Sequence, residues 1–209
     1  MSKSSAADPT VFIVDDDQSI RHAMALLMRS VGLRHRIFQS GMEFLEDYTP
    51  DIAGCLVLDI RMPGMGGLEL QDKLAERGST LPVIFITGFA DVPMAVEAMQ
   101  KGAFDFLEKP FRDQELLDRI NDALQVDSTR RAHDEETRRV QAHMGRLTQR
   151  EREVMDLVVT GKPNKIIAHE LDVSQRTVEI HRARVMDKME ARSLADLVRM
   201  ILAASPYED

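Results

Sequence analysis

Five side chains separated by up to 94 positions have the types needed to handle a charged oxyanion: Asp15, Asp16, Asp59, Thr87 and Lys109. Each follows or ends a short apolar run, TVFIVD, GCLVLD, PVIFIT or FDFLE, and the segment after the first run holds a third acid, Asp17. Alone, a carboxylate at such a place is an ordinary solvated loop residue. Gathered together, three carboxylates repel one another unless a cation is present, and hard oxygen ligands suit Mg²⁺. A carboxylate held beside a metal and a fixed ammonium can attack a phosphoryl group and form an acyl phosphate. Lys109 supplies the mobile point charge, and Thr87 can donate a hydrogen bond to a phosphoryl oxygen.

Positioning these groups requires a sheet. Strands are expected at about 10 to 15, 34 to 38, 54 to 59, 82 to 87 and 104 to 108. Amphipathic helices are expected near 18 to 31, 41 to 48, 67 to 77, 92 to 101 and 113 to 125. Alternation of this kind predicts an α/β doubly wound five-stranded parallel sheet, a flavodoxin-like architecture with helices on both faces. Ligands in such sheets lie at the carboxyl ends of the strands, where the polar residues cluster.

From Gln125 to Arg146 the chain is charged, almost without large apolar residues and free of proline. It reads as a linker over 127 to 146, either a tether or a solvated helix, since it is rich in helix formers. The rest, 147 to 209, has an all-α pattern of four helices. Thr148 and Glu151 have capping-box spacing, Gly161 and Pro163 break the chain, Ser174 can cap a longer helix to about Glu190, and Ser193 can cap a fourth. On the long helix Val178, Val185 and Met189 share a buried stripe, whereas Arg176, Ile180 and Ala183 lie roughly opposite. That is the shape of a helix-turn-helix whose second helix enters a DNA groove. Periodicity alone equally allows a four-helix domain that binds protein.

Charge is unevenly placed. The whole chain carries a formal net charge of -8. All of the excess acid lies in residues 1 to 126, and the remainder is balanced. Between 174 and 192 basic residues outnumber acidic ones slightly, a modest footprint for nucleic acid. No apolar run is long enough to span a membrane, and no secretory signal opens the chain, so a cytoplasmic protein is expected. The lone cysteine, Cys55, lies in an apolar run and reads as a core thiol.

The segments VFIVDDD, LVLDIRMPGMGG, VIFITG and DFLEKPF resemble, in order and spacing, the hallmark segments of response-regulator receiver domains, and the resemblance covers about residues 10 to 125. The run DVPMAVEAMQKGAFDFLEKPF points to the FixJ-like branch. The resemblance implies that Asp59 is the phosphoacceptor. It makes Asp16, Asp59 and the Arg61 carbonyl metal ligands, with Asp15 assisting through water. Thr87 and Lys109 would sense the phosphoryl group, Phe106 would turn inward on activation, and the Lys109–Pro110 bond would be cis. A calcium loop fits less well, because DDDQSIR runs straight into a helix. A flavin site would need a Gly/Ser/Thr phosphate loop where three acids stand.

LTQREREVMDLVVTGKPNKIIAHELDVSQRTVEIHRARVMDKM is similar to the LuxR-type DNA-binding domain of the FixJ/NarL regulators. By that resemblance Lys165, Thr177, His181 and Lys188 would position the helix on phosphates, and Arg176, Ile180 and Arg184 would approach base edges. Glu179 stands where many relatives have lysine, so base contacts do not transfer directly. The implied partners are a sensor histidine kinase, double-stranded promoter DNA, a second copy in a phosphorylation-dependent homodimer, and RNA polymerase. No membrane is implied. The implied protein is a transcriptional regulator and not an enzyme acting on external substrates; a phosphatase or phosphotransfer protein is the rival from another class.

Overall fold

A computed structural model describes residues 8–88 and 92–204. Asp91, at the head of the FixJ-like run, and the outermost residues at both ends of the chain lie outside the described residues. The chain divides into two compact units, Met1–Arg130 and Arg131–Asp209.

The first unit alternates strands and helices: β1 Thr10–Val14, α1 Gln18–Ser30, β2 His35–Phe38, α2 Gly41–Asp47, β3 Gly54–Asp59, α3 Gly67–Glu76, β4 Val83–Thr87, α4 Val92–Gln100, β5 Asp105–Glu108, and the first part of α5 Asp113–Met144. All pairings are parallel, in the order β2-β1-β3-β4-β5. The expected element order is borne out, with strand and helix ends shifted by a residue at several places, except that α5 runs past its expected end at 125 to Met144.

Strands covered on both faces must be apolar on both, and β3 is buried along its whole length. Alternate residues feed two cores. Phe12, Leu56, Leu58 and Phe85 pack with Phe44 of α2 and Leu70 and Leu74 of α3. Ile13, Val57, Ile84 and Ile86 pack with Met24 and Met28 of α1 and Leu116 and Ile120 of α5. Each such side chain contributes roughly 1.5–3 kcal/mol relative to its exposed state. Cys55 is wholly buried in the second cluster. Burial, and then the charge of Asp127, push its thiol up to about 12. It is a core residue and no nucleophile. The chain reverses direction across the sheet between β1 and β3, which leaves a crevice at their carboxyl ends.

The charged stretch after Gln125 is helical, part of α5 (Asp113–Met144). Its reading as a solvated linker needs correction. Asp127, 1% exposed, lies in the first unit, where its carboxylate accepts the Gly54 amide at 2.9 Å. Val140 and His143 are buried in the second unit. Few large apolar residues are needed for such packing, because a helix can bury one narrow stripe while its other faces stay charged.

In the second unit α6 Gln149–Val159, α7 Asn164–Glu170, α8 Gln175–Lys188 and α9 Leu194–Ala204 surround a core that includes Val154, Met155, Ile167, Val178, Val185, Met189 and Leu197. The caps fall where their residue types place them. Thr148 and Glu151 form a reciprocal capping box, Ser174 accepts the Thr177 amide, and Ser193 accepts the Asp196 amide. Asp172, with φ 51°, turns the chain between α7 and α8 in the left-handed region that an aspartate tolerates better than most residues.

Candidate functional site

The acidic group assembles at the carboxyl ends of the strands. Asp15 follows β1, Asp59 ends β3, Thr87 ends β4 and Lys109 follows β5. One ligand oxygen from each of Asp15, Asp16 and Asp59 lies within 4.8 Å of the others. The Lys109 ammonium donates to Asp15 Oδ2 at 2.8 Å and to Asp59 Oδ1 at 3.2 Å. Its backbone amide donates to the Thr87 carbonyl at 2.7 Å, so the lysine is held from the main chain as well. The Lys109–Pro110 peptide bond is cis.

The acids differ in their surroundings. Asp15 is 1% exposed, and its Oδ1 accepts the Asp17 amide while Oδ2 accepts Lys109. Asp16 is exposed. Asp17, the third acid of the triplet, serves a different purpose. Its carboxylate caps α1 by accepting the Ser19 amide at 2.7 Å and the Ile20 amide at 3.3 Å, and these bonds hold its pKa below the ordinary value. Asp59 is 7% exposed, and burial first, then Asp15 and Asp16, raise its pKa against the opposing pull of Lys109. For Lys109 burial works against the charge, yet the Asp15 and Asp59 carboxylates outweigh it and hold the ammonium above the usual lysine value. Gly67 lets the start of α3 lie close against the end of β3, because a Cβ there would stand 2.4 Å from the Asp59 carbonyl oxygen.

Three carboxylates against one ammonium leave an excess of negative charge, and every candidate donor is oxygen. The group therefore fits a hard divalent cation such as Mg²⁺. Asp16 and Asp59 would hold it, with the backbone of Arg61, two residues beyond Asp59, within the same loop. Thr87 is 3% exposed at its strand end. Phe106 is half-buried on β5, level with Phe85 and packed against the Phe12–Phe85 core.

On α8 the residues expected to read DNA separate by burial. Arg176, Ile180 and Arg184 are exposed, Ile180 by 46%, along with Glu179 and Ala183. Thr177, His181 and Lys188 are half-buried beside them, and Lys165 is exposed on α7. Val178 and Val185 are buried, as their spacing requires. Some of these polar groups already have partners. Thr177 Oγ1 lies 2.8 Å from Ser174 Oγ. Lys188 donates to Glu151 Oε2 at 2.6 Å. This bond and the Thr148 amide hold the Glu151 carboxyl down at about 2. Arg182, counted in the local basic surplus, donates to Asn164 and joins α8 to α7.

Sequence reasoning missed two polar residues that hold this scaffold and one partner of a third. The capping-box spacing flagged Glu151 but not its second partner. Asp127 and Gln71 gave no signal, since a charged or amide residue on a helix is normally solvated.

An α/β unit with an acidic strand-end pocket, followed by a helix-turn-helix, defines a class of signal-controlled DNA-binding proteins. The comparisons agree. The family described as "Response regulator receiver domain" matches residues 11–121, and "Bacterial regulatory proteins, luxR family" matches residues 145–201. Nodulation protein W of Bradyrhizobium diazoefficiens is 50% identical over 190 residues, 91% of this chain and 84% of its own length. Transcriptional regulatory protein FixJ of Rhizobium meliloti is 46% identical over 197 residues, 94% and 96% of the two chains. Among solved structures, response regulator StyR matches with a TM-score of 0.86 at 45% identity, covering 94% of this chain and 99% of that one. Full-length FixJ from B. japonicum matches with a TM-score of 0.58 at 39% identity, covering 94% and 97%.

The chain belongs to the FixJ/NarL-type response regulators of two-component systems, transcriptional regulators with a receiver domain and a LuxR-type DNA-binding domain. No helix among the described residues is long and apolar enough to cross a membrane.

Proposed function

We propose that Asp59 accepts a phosphoryl group from a phosphohistidine of a sensor histidine kinase, and that the modified receiver promotes promoter binding through α8. The observation that carries this reading is the Lys109 ammonium shared between Asp15 and Asp59 at 2.8 and 3.2 Å, beside three carboxylates grouped within 4.8 Å. An Asp59 carboxylate oxygen attacks phosphorus, the phosphorus–nitrogen bond breaks, and the electron pair leaves with the imidazole. Lys109 neutralises the transferred oxygens, and Thr87, at the end of the adjacent strand, offers its hydroxyl to one of them. Bound Mg²⁺ would supply charge neutralisation at the same oxygens, held by Asp16, Asp59 and the Arg61 carbonyl, with Asp15 acting through water. The receiver would catalyse only its own phosphoryl transfer and dephosphorylation.

Downstream, Lys109 and Thr87 follow the new charge, Phe106 turns inward, and α4 rearranges to present a face for a second copy. The exposed Val96 and Met99 on α4 support that face. Dimerisation brings two α8 helices to adjacent half-sites of double-stranded promoter DNA and raises their effective concentration. Arg176, Ile180 and Arg184 face base edges. Lys165, Thr177, His181 and the remaining donors of Lys188 face phosphates, and RNA polymerase is met at the promoter. The protein would act in the cytoplasm.

Labelling of full-length protein by a small acyl-phosphate donor with Mg²⁺ tests the trigger. Asp59→Asn is expected to abolish incorporation, and wild-type labelling of that variant would reject the assignment. Phosphodonor is also expected to tighten promoter binding by the wild type but not by the variant.

A further inference from the structure

Among its described side chains, helix α4 has few apolar contacts with the sheet, chiefly Met94 and Ala98. Among its residues with described side chains, Ala98 is fully buried, Met94 and Ala95 are half-buried, and Val96 and Met99 are about half exposed. Its C-terminal end is anchored differently. Gly102, with φ 85°, donates to the Met99 carbonyl at 3.0 Å, and Ala103 donates to the Ala98 carbonyl at 3.0 Å, the paired bonds of a left-handed helix stop. From α3, the Gln71 amide nitrogen adds two bonds, to the Ala98 carbonyl at 3.3 Å and the Lys101 carbonyl at 3.2 Å. A salt bridge lies outside them, where Lys101 meets Asp72 of α3 at 2.8 Å and Glu97 of α4 at 3.0 Å.

Gln71 is 5% exposed, and its Oε1 is buried with no hydrogen-bond partner among the described residues. A buried amide oxygen left unmatched is costly, and a leucine would fill this space without that cost. The residue is thus poorly explained as core packing. It is well explained by what its nitrogen does at the end of α4, where it adds a second bond to the Ala98 carbonyl and one to the Lys101 carbonyl, which lies past the last turn that a helix can satisfy itself.

We infer that Gln71 is a positioning residue for the receiver switch, pinning the C-terminal turn of α4 to α3 in the unphosphorylated arrangement by bonds that are given up when the helix rearranges. The pin favours the unphosphorylated arrangement, and its strength sets how much of the active arrangement exists before phosphorylation. This rests on the reading that α4 carries the signal from Asp59.

Hydrogen exchange on the unphosphorylated full-length protein tests it. Gln71→Glu keeps the shape but turns donors into acceptors facing two carbonyl oxygens, and Gln71→Leu removes both donors and the unmatched oxygen. Amides of residues 94–103 are expected to exchange roughly tenfold faster in both variants. Those of α1 should be unchanged. Equal acceleration of α1 and α4, or none, would overturn the inference and leave Gln71 a packing residue. The second readout is promoter binding without phosphodonor, expected to rise several-fold in Gln71→Glu. A loosened α4 with unchanged basal binding would also overturn the switch role. Loss of Asp59 labelling in the wild type would instead refute the underlying reading, which these exchange rates do not touch.

Discussion

Replacing Lys188 by methionine separates two roles for one side chain. Its ammonium donates to Glu151 at 2.6 Å, and the Glu151 side chain is 3% exposed against 32% for Lys188. The Glu151 carboxyl is held at about 2, against an ordinary 4.5, first by Lys188 and then by the Thr148 amide. A shift of that size corresponds to about 3 kcal/mol for all the bonds that favour the charged form. Thr148 survives the substitution, and water screens the half-open lysine, so the expected loss is about 1–2 kcal/mol. The sign with pH follows from a folded pKa below the unfolded one. The stabilisation is complete above about 4.5 and disappears as pH falls toward 2, so the difference between wild type and Lys188→Met should narrow in acid. Urea unfolding of the full chain, read by exchange protection of α6 and α8 peptides, isolates the second unit. DNA affinity against salt is measured alongside. A phosphate contact would lower the salt slope by about one unit. A stability change under about 0.3 kcal/mol together with that lower slope would refute the scaffold role and make Lys188 a plain backbone contact.

Replacing Arg176 or Arg184 by alanine should reduce discrimination between matched and mismatched sites by about 1–3 kcal/mol where the arginine makes a bidentate base contact. Competition binding with single-base operator variants reads this, and equal weakening on every sequence would demote the residue to a phosphate contact. Asp127→Ala should destabilise the first unit by about 1–3 kcal/mol, because it leaves the buried Gly54 amide without its acceptor. Asp127→Asn, which keeps an acceptor, should recover most of the loss, and equal melting of both variants would show that charge and not the hydrogen bond matters.

The centre of the sheet was legible because β1, β3 and β4 are buried on both faces and so appear as continuous apolar runs with polar ends. Asp15, Asp59, Thr87 and Lys109 were legible for the same reason: the topology forces the ends of β1, β3, β4 and β5 together, whatever the sequence separation. The helix caps at Thr148, Ser174 and Ser193 are local signals, readable within four residues. What escaped were pairs whose partners lie on another element. Asp17 looked like a third member of the acidic group, but its position one residue before α1 gives it helix amides to accept. Asp127 lay in a stretch read as solvated, and nothing in its own neighbours reveals Gly54, 73 positions away. Lys188 lies by helical spacing on the same side of α8 as His181 and Arg184, yet its ammonium reaches Glu151, 37 positions earlier. Periodicity assigns a face, and side-chain length decides what that face touches.

The charge balance around Asp59 gives the proposed switch its direction. Burial and two neighbouring carboxylates already disfavour charge on Asp59, and Lys109 opposes them while bonded to Asp15 as well. Phosphorylation would replace the single carboxylate charge with a phosphoryl group carrying about 1.5 to 2 negative charges, a net gain of at most about one, placed on oxygens further out. Lys109 would then have a stronger partner on the Asp59 side than Asp15 provides, and its ammonium should be drawn toward it. Because the Lys109 amide is bonded to the Thr87 carbonyl at 2.7 Å, the main chain near the ends of β4 and β5 cannot ignore that movement. Phe106, three residues before Lys109 and packed only partly into the core, lies on the strand that would feel it. Helix α4, tied at its C-terminal turn by Gln71 and with Ala98 its one fully buried side chain among those described, is the neighbouring element proposed to shift.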